Sequence, residues 1–246
     1  MSRKRVAYAA ATVLLLALLA YLGRGYMEPL IQKARGRRTV ADALRRYGLR
    51  AEKRLTAHFA QADVAYPPQA LTLIAFKHER ALEVWAQQDT AWHFVHAYPI
   101  LSASGKPGPK LREGDLQVPE GFYRIEGLNP NSSYHLSMKL DYPNTFDRQM
   151  AKQDGRTNLG GDIFIHGKEV SIGCIAIGDE AIEELFVLVA KMGKDNVTVL
   201  TAPNDLRQGP AITQSANTPS WLPGLYAELG KALREFAHTP QPSAAE

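Results

Sequence analysis

From about residue 70 the apolar and polar positions follow a period of two. Leu71-Thr72-Leu73-Ile74-Ala75-Phe76 and Ala81-Leu82-Glu83-Val84-Trp85-Ala86 flank the polar stretch Lys77-His78-Glu79-Arg80, which predicts a β-hairpin. Ala91 to Tyr98, rich in aromatics and Val, reads as a third strand, and Ile163-Phe164-Ile165 and Val197-Thr198-Val199-Leu200 as further short ones. Between these last two the period lengthens. Ile182, Leu185, Phe186 and Val189 recur at helical spacing after Asp179, a capping residue type, and Lys191 and Gly193 close the run. Many short strands and one packed helix predict a mainly β domain with some α over residues 68–203.

The flanks read differently. Val6 to Leu22 is an apolar run without a charge, preceded by Arg3-Lys4-Arg5. At about 1.5 Å rise per residue, such a helix nearly spans a bilayer core. No small-x-small cleavage site follows it, so residues 1–25 are expected to form an uncleaved transmembrane signal anchor. Basic residues stand on both sides of it, and charge does not orient the anchor. Thr39-Val40-Ala41-Asp42 resembles a helix-opening capping pattern, and Leu44, Tyr47, Leu55 and Phe59 give a broken apolar stripe with Gly48 as a weak point. Tyr66-Pro67-Pro68 ends the stretch, so residues 26–67 read as a helical stalk. Residues 204–246 read as one modest helix near Trp221–Phe236 and a flexible Pro/Ser tail.

At 45% hydrophobic and 22% charged residues the composition is globular. The net charge of +4 conceals an asymmetry: residues 1–60 carry 13 Lys/Arg against three acids, which leaves −6 on residues 61–246. A basic arm beside an apolar run fits anionic lipid headgroups, and no nucleic-acid signature appears. The single cysteine excludes an internal disulfide. Read alone it is either a small buried hydrophobe or a reactive thiol. His93 and His96, three apart on a strand, point to opposite faces; no metal-ligand spacing appears elsewhere, and no cofactor is expected.

The chemistry concentrates in one run, Gly160 to Cys174. A strand delivers His166 to Gly167, where the chain turns, and Cys174 follows eight residues after His166, preceded by Gly173. A thiol becomes a useful nucleophile when a nearby imidazole accepts its proton. Gly173 removes bulk beside the sulfur, so backbone N–H groups can face a developing oxyanion. On spacing alone a structural His beside a structural Cys stays open.

His166-Gly167 followed by Ser171-Ile172-Gly173-Cys174 resembles the signature of the YkuD-type L,D-transpeptidase catalytic domain, in its YafK-like branch. Ser104-Gly105, the run Gly108 to Asp115, Pro119 to Tyr123, Asn129 to Ser132, Tyr142-Pro143-Asn144 and the helix from Asp179 are similar to that branch too, over roughly residues 66–207. The resemblance implies a β-sandwich-like catalytic fold outside the cytoplasmic membrane, held there by the anchor in a single pass and facing the periplasm. It implies that Cys174 attacks the carbonyl of the third residue of a peptidoglycan stem peptide, with His166 as base. The Gly167 carbonyl would orient the ring, and N–H groups of Ile172, Gly173 and Cys174 would form the oxyanion hole. The thioester passes to an amine, as in a transpeptidase, or to water, as in a hydrolase that cleaves a peptide or a cell-wall-linked lipoprotein from the diamino acid. A non-catalytic peptidoglycan-binding module is the third reading, and the intact His-Cys pair argues against it. Ile172 and Ala176 depart from the wider family, which has a second His and an Arg or Asn there. Lys110 and Arg112, in the Gly/Pro-rich segment Ser102 to Gly121, are candidates for a substrate carboxylate. Tyr142, Asn144 and His135 are candidates to line the site.

Overall fold

The structure, a computed structural model, describes residues 36–171, 173–212 and 218–237. The expected anchor at Val6–Leu22 lies outside them, as do Ile172 and the tail after residue 237. Among the described residues no helix is long and apolar enough to cross a membrane.

In chain order the elements are helix α1 (Val40–Gln61), strands β1 (Ala70–Phe76), β2 (Ala81–Gln88), β3 (Ala91–Pro99), β4 (Ser102–Ala103), β5 (Gly121–Asn129) and β6 (Ser137–Leu140), helix α2 (Thr145–Gln153), strands β7 (Phe164–His166) and β8 (Ile175–Ala176), helix α3 (Asp179–Met192), strand β9 (Val197–Ala202) and helix α4 (Leu222–Leu233). The hairpin forms with Phe76 opposite Ala81, and β1 also pairs in parallel with β9. Leu71, Leu73 and Ala75 of β1 enter the main core, while Ile74 and Phe76 enter a second core on the opposite face. Both faces of this strand are therefore dry, which is why it reads as a nearly continuous apolar run.

A sandwich of two separate sheets is not what the chain builds. The fold is mixed α/β around one curled sheet in the order β3-β2-β1-β9-β5-β6-β7-β8-β4. Strand β5 makes the bend: Gly121–Arg124 pairs with β9, Ile125–Asn129 pairs with β6, and the register shifts between Ile125 and Gly127. A bulge of this kind turns a strand without breaking the sheet. The period-two reading did not reveal β5, β6 or α2; in β5 burial does alternate from Gly121 to Glu126, but a buried glycine at Gly121 and an exposed Phe122 hide that alternation in the residue types.

The stretch read as a stalk also differs. Ala43, Tyr47, Ala51, Leu55 and Phe59 of α1 recur every fourth residue, and all are buried. Arg54 reaches the carboxylates of Glu180, Glu183 and Glu184 on α3. His58 stacks on His96 with ring centroids 3.8 Å apart. So α1 is a wall of the main core, not a spacer. An apolar stripe shows that a helix has a dry face but not what covers it. At the other end, Leu222, Leu225, Leu229 and Leu233 of α4 pack with Trp85 and Leu200 in the second core, so this helix too belongs to the domain.

Candidate active site

Strand β7 ends at His166, and Ile165 and His166 pair in parallel with Ile175 and Ala176 of β8. One step back along the ladder sets Cys174 beside Phe164, so Cys174 and His166 occupy positions of one parity on neighbouring strands. On the other side, Ser102 and Ala103 of β4 pair with Ala176 and Ile175, which brings Ser104 opposite Cys174.

His166 is 1% exposed, and its ring lies 4.5 Å from that of Tyr134 between centroids. Its Nδ1 is 2.6 Å from the Gly167 carbonyl oxygen. A carbonyl only accepts, so Nδ1 carries a hydrogen, and the neutral ring keeps its lone pair on Nε2. Burial lowers the pKa of His166, and the bond to Gly167 offsets part of that. The ring is thus held neutral, in the tautomer a base needs. Gly167 has no room for a side chain: a Cβ there would come within 2.6 Å of Asp179 Oδ1 and 2.9 Å of the Tyr134 carbonyl. Asp179 was expected to cap α3, but Gly178 holds the cap position. The Asp179 carboxylate instead accepts from the Lys168 N–H at 2.8 Å and fixes the turn after His166.

Cys174 is half-buried. Its Sγ lies 3.7 Å from the Asp162 carbonyl oxygen. Burial pushes the thiol pKa up; the Phe164 backbone pulls it down, Asp162 pushes it up and the Lys110 charge pulls it down. A thiol raised in this way becomes a nucleophile only when a base takes its proton. Ser171 Oγ accepts from the Cys174 N–H at 2.8 Å and donates to the Cys174 carbonyl at 2.6 Å, closing the turn around Cys174. Gly173, at φ +94°, donates its N–H to Ser104 Oγ, and that hydroxyl donates to the Leu116 carbonyl at 2.9 Å. Both described N–H groups expected in an oxyanion hole are thus already bonded. A substrate oxygen has to compete with Ser104 and Ser171 for them.

The Gly/Pro-rich segment is a fixed wall rather than a free lid. Asp115 accepts from the N–H groups of Leu111, Arg112 and Gln117 and from Lys110 Nζ at 2.7 Å, so Lys110 is tied within the wall while its charge still acts on the thiol. Lys77 donates to the carbonyls of Gly108 and Val118 and pairs with Glu120 at 3.0 Å. Glu120 in turn accepts from Gly108 N–H and from Tyr226 of α4. Lys77, Asp115 and Glu120 escaped the sequence reading because a charge in a polar hairpin turn, or beside Gly and Pro, looks like an ordinary solvated turn. Arg112 is exposed, on the rim of a cavity of about 650 Å³.

The remaining candidates are held by hydrogen bonds within the domain. His135 Nε2 lies 2.8 Å from Glu183 Oε1, with its ring against Tyr47. Asn144 caps α2 in a reciprocal capping box with Asp147 and donates to the Phe122 carbonyl. Tyr142 is buried and donates to the Leu159 carbonyl at 3.2 Å. These three polar groups, expected to line the site, thus have protein partners.

Residues 72–199 match the YkuD family, the L,D-transpeptidase catalytic domain. The chain is 36% identical over 116 residues to YafK of Escherichia coli strain K12, whose own assignment as an L,D-transpeptidase is provisional. That alignment covers 46% of this chain and 45% of the relative, so the chain spans about half the length of the curated relatives it matches. Among solved structures it is similar to the helical cell shape determining protein Pgp2 from Campylobacter jejuni (26% identity, 57% of this chain, 50% of that one, TM-score 0.46). It is also similar to L,D-transpeptidase 1 of Mycobacterium tuberculosis (14% identity, 54% of this chain, 61% of that one, TM-score 0.32).

Proposed function

Because this chain belongs to the YkuD L,D-transpeptidase catalytic domain family, we propose that it modifies peptidoglycan stem peptides through a thioester on Cys174. One observation carries the reading: a buried His166 whose Nδ1 hydrogen is committed to the Gly167 carbonyl, on the strand next to the cysteine. Nε2 of His166 takes the thiol proton, and the sulfur attacks the carbonyl of the third stem residue. The bond to the terminal residue breaks, and its amine leaves with the proton from His166. An incoming amine then attacks the thioester, forms the new amide and returns the proton to sulfur. The apolar run Val6–Leu22 supports tethering of the enzyme to the cytoplasmic membrane with the domain outside it.

The test is incubation with a defined tetrapeptide donor and a set of amine acceptors, with products identified by mass. An acyl adduct on Cys174 and an amide product are expected. Cys174→Ala should give neither while keeping its fold. Turnover by that variant refutes the nucleophile assignment; free acid from every donor replaces transfer with hydrolysis.

A further inference from the structure

A second cavity, of about 620 Å³, shares Arg156 and Thr157 with the one that Arg112 lines and is bounded also by Pro143, Arg148, Lys152 and Gly160. No acid lines it. Arg148 and Lys152 are exposed and stand four residues apart on α2, where like charges repel. Among the described residues neither has an ion-pair partner. Asp147 feels the Arg148 charge, but its own oxygens accept from the Asn144 N–H and Tyr123 hydroxyl. Arg156 is already committed to Asp154 and to the Leu111 carbonyl, so it stiffens the groove and adds little free charge. This cationic floor belongs to a region, residues 61–246, that is acidic in sum. The end of the groove at Gly160 is close to the thiol along the chain. Gly160 at its end lies against Glu113, and two residues further on the Asp162 carbonyl meets Cys174 Sγ.

We infer that this groove binds the free carboxylates of the peptide substrate, with Arg148 and Lys152 as the recognising charges, and so guides the strand toward Cys174. The inference rests on the peptide-acylating reading and names its substrate class: an acidic peptide. A local positive field in a groove raises the local concentration of an anionic ligand and fixes its direction of entry.

The experiment is calorimetric binding to the detergent-solubilised full chain carrying Cys174→Ala, so that no turnover intervenes. The probes are a stem tetrapeptide with free carboxylates and the same peptide with its side-chain carboxyls amidated. An exposed charge pair contributes up to about fivefold in affinity. The amidated peptide should bind about tenfold more weakly for the two charges together, and Arg148→Gln/Lys152→Gln should bring the free-carboxylate peptide down to that level. Lys53→Gln, an exposed change on α1, should leave binding unaltered. Equal binding of both peptides, no loss in the double variant, or an equal loss in Lys53→Gln would each overturn the groove. Binding with the expected pattern in a protein that never forms a thioester defeats the enzymatic reading instead, and leaves the site standing.

Discussion

Lys77 and Glu120 are buried together, their side chains 5% and 0% exposed, and the ammonium also ties down the carbonyls of Gly108 and Val118. Replacing Lys77 by Met keeps the stem and removes the charge, leaving the Glu120 carboxylate with only the Gly108 N–H and the Tyr226 hydroxyl. An ion bereft of its partner in such a setting costs about 3–5 kcal/mol. For a domain of this size, about 2–4 °C per kcal/mol turns that into a fall in Tm of about 6–20 °C. Urea titration should give the same loss through a lower midpoint at constant slope. Adding Glu120→Gln should recover part of it, since the stranded charge is then gone. The wall segment should loosen as well, so alkylation of Cys174 by iodoacetamide should change in rate in the single variant. A loss below about 1 kcal/mol, the range of an exposed pair, would refute the reasoning, because the pair would then not be desolvated. No recovery in the double variant would show that Lys77 acts by packing alone.

Three further outcomes are expected. In the native protein, iodoacetamide alkylation of Cys174 should rise with pH at values below the ordinary imidazole range of about 6.5, because burial lowers the His166 pKa; in His166→Gln the rise should move above the ordinary thiol range, and identical profiles would show that His166 does not control the sulfur. Burial raises the Asp147 pKa from 3.8 to about 6, so the folded state binds the extra proton and stability falls as pH rises through that interval; the urea midpoint of the native protein should drop relative to Asp147→Asn between these values, and a pH-independent difference counts against it. Phe59→Ala on α1 should cost about 3–5 kcal/mol, since Phe59 is 1% exposed; a near-neutral melt would restore the view of α1 as a spacer.

The local pattern reached furthest where one strand or turn carries the information. The hairpin, the α3 stripe and the His166-Gly167 and Gly173-Cys174 pairs are legible because period and motif are properties of neighbouring residues. What the sequence did not determine is what touches what at long range. Five residues of α1 repeat every fourth position whether they face α3 or solvent, and only packing decided for the core. Ser104 lies 69 residues from Gly173, yet it accepts that residue's N–H because β4 docks beside β8 at the sheet edge. Lys77 and Glu120 look like turn residues in the chain and become a desolvated pair once β1, the wall segment and α4 meet. The sequence by itself singled out Cys174, His166 and the glycines beside them as the proposed nucleophile, base and turn positions, because that motif is carried by covalent neighbours. Tertiary structure alone decided which N–H groups are occupied and which charges are dry, because burial and partner choice are set by distant segments brought together.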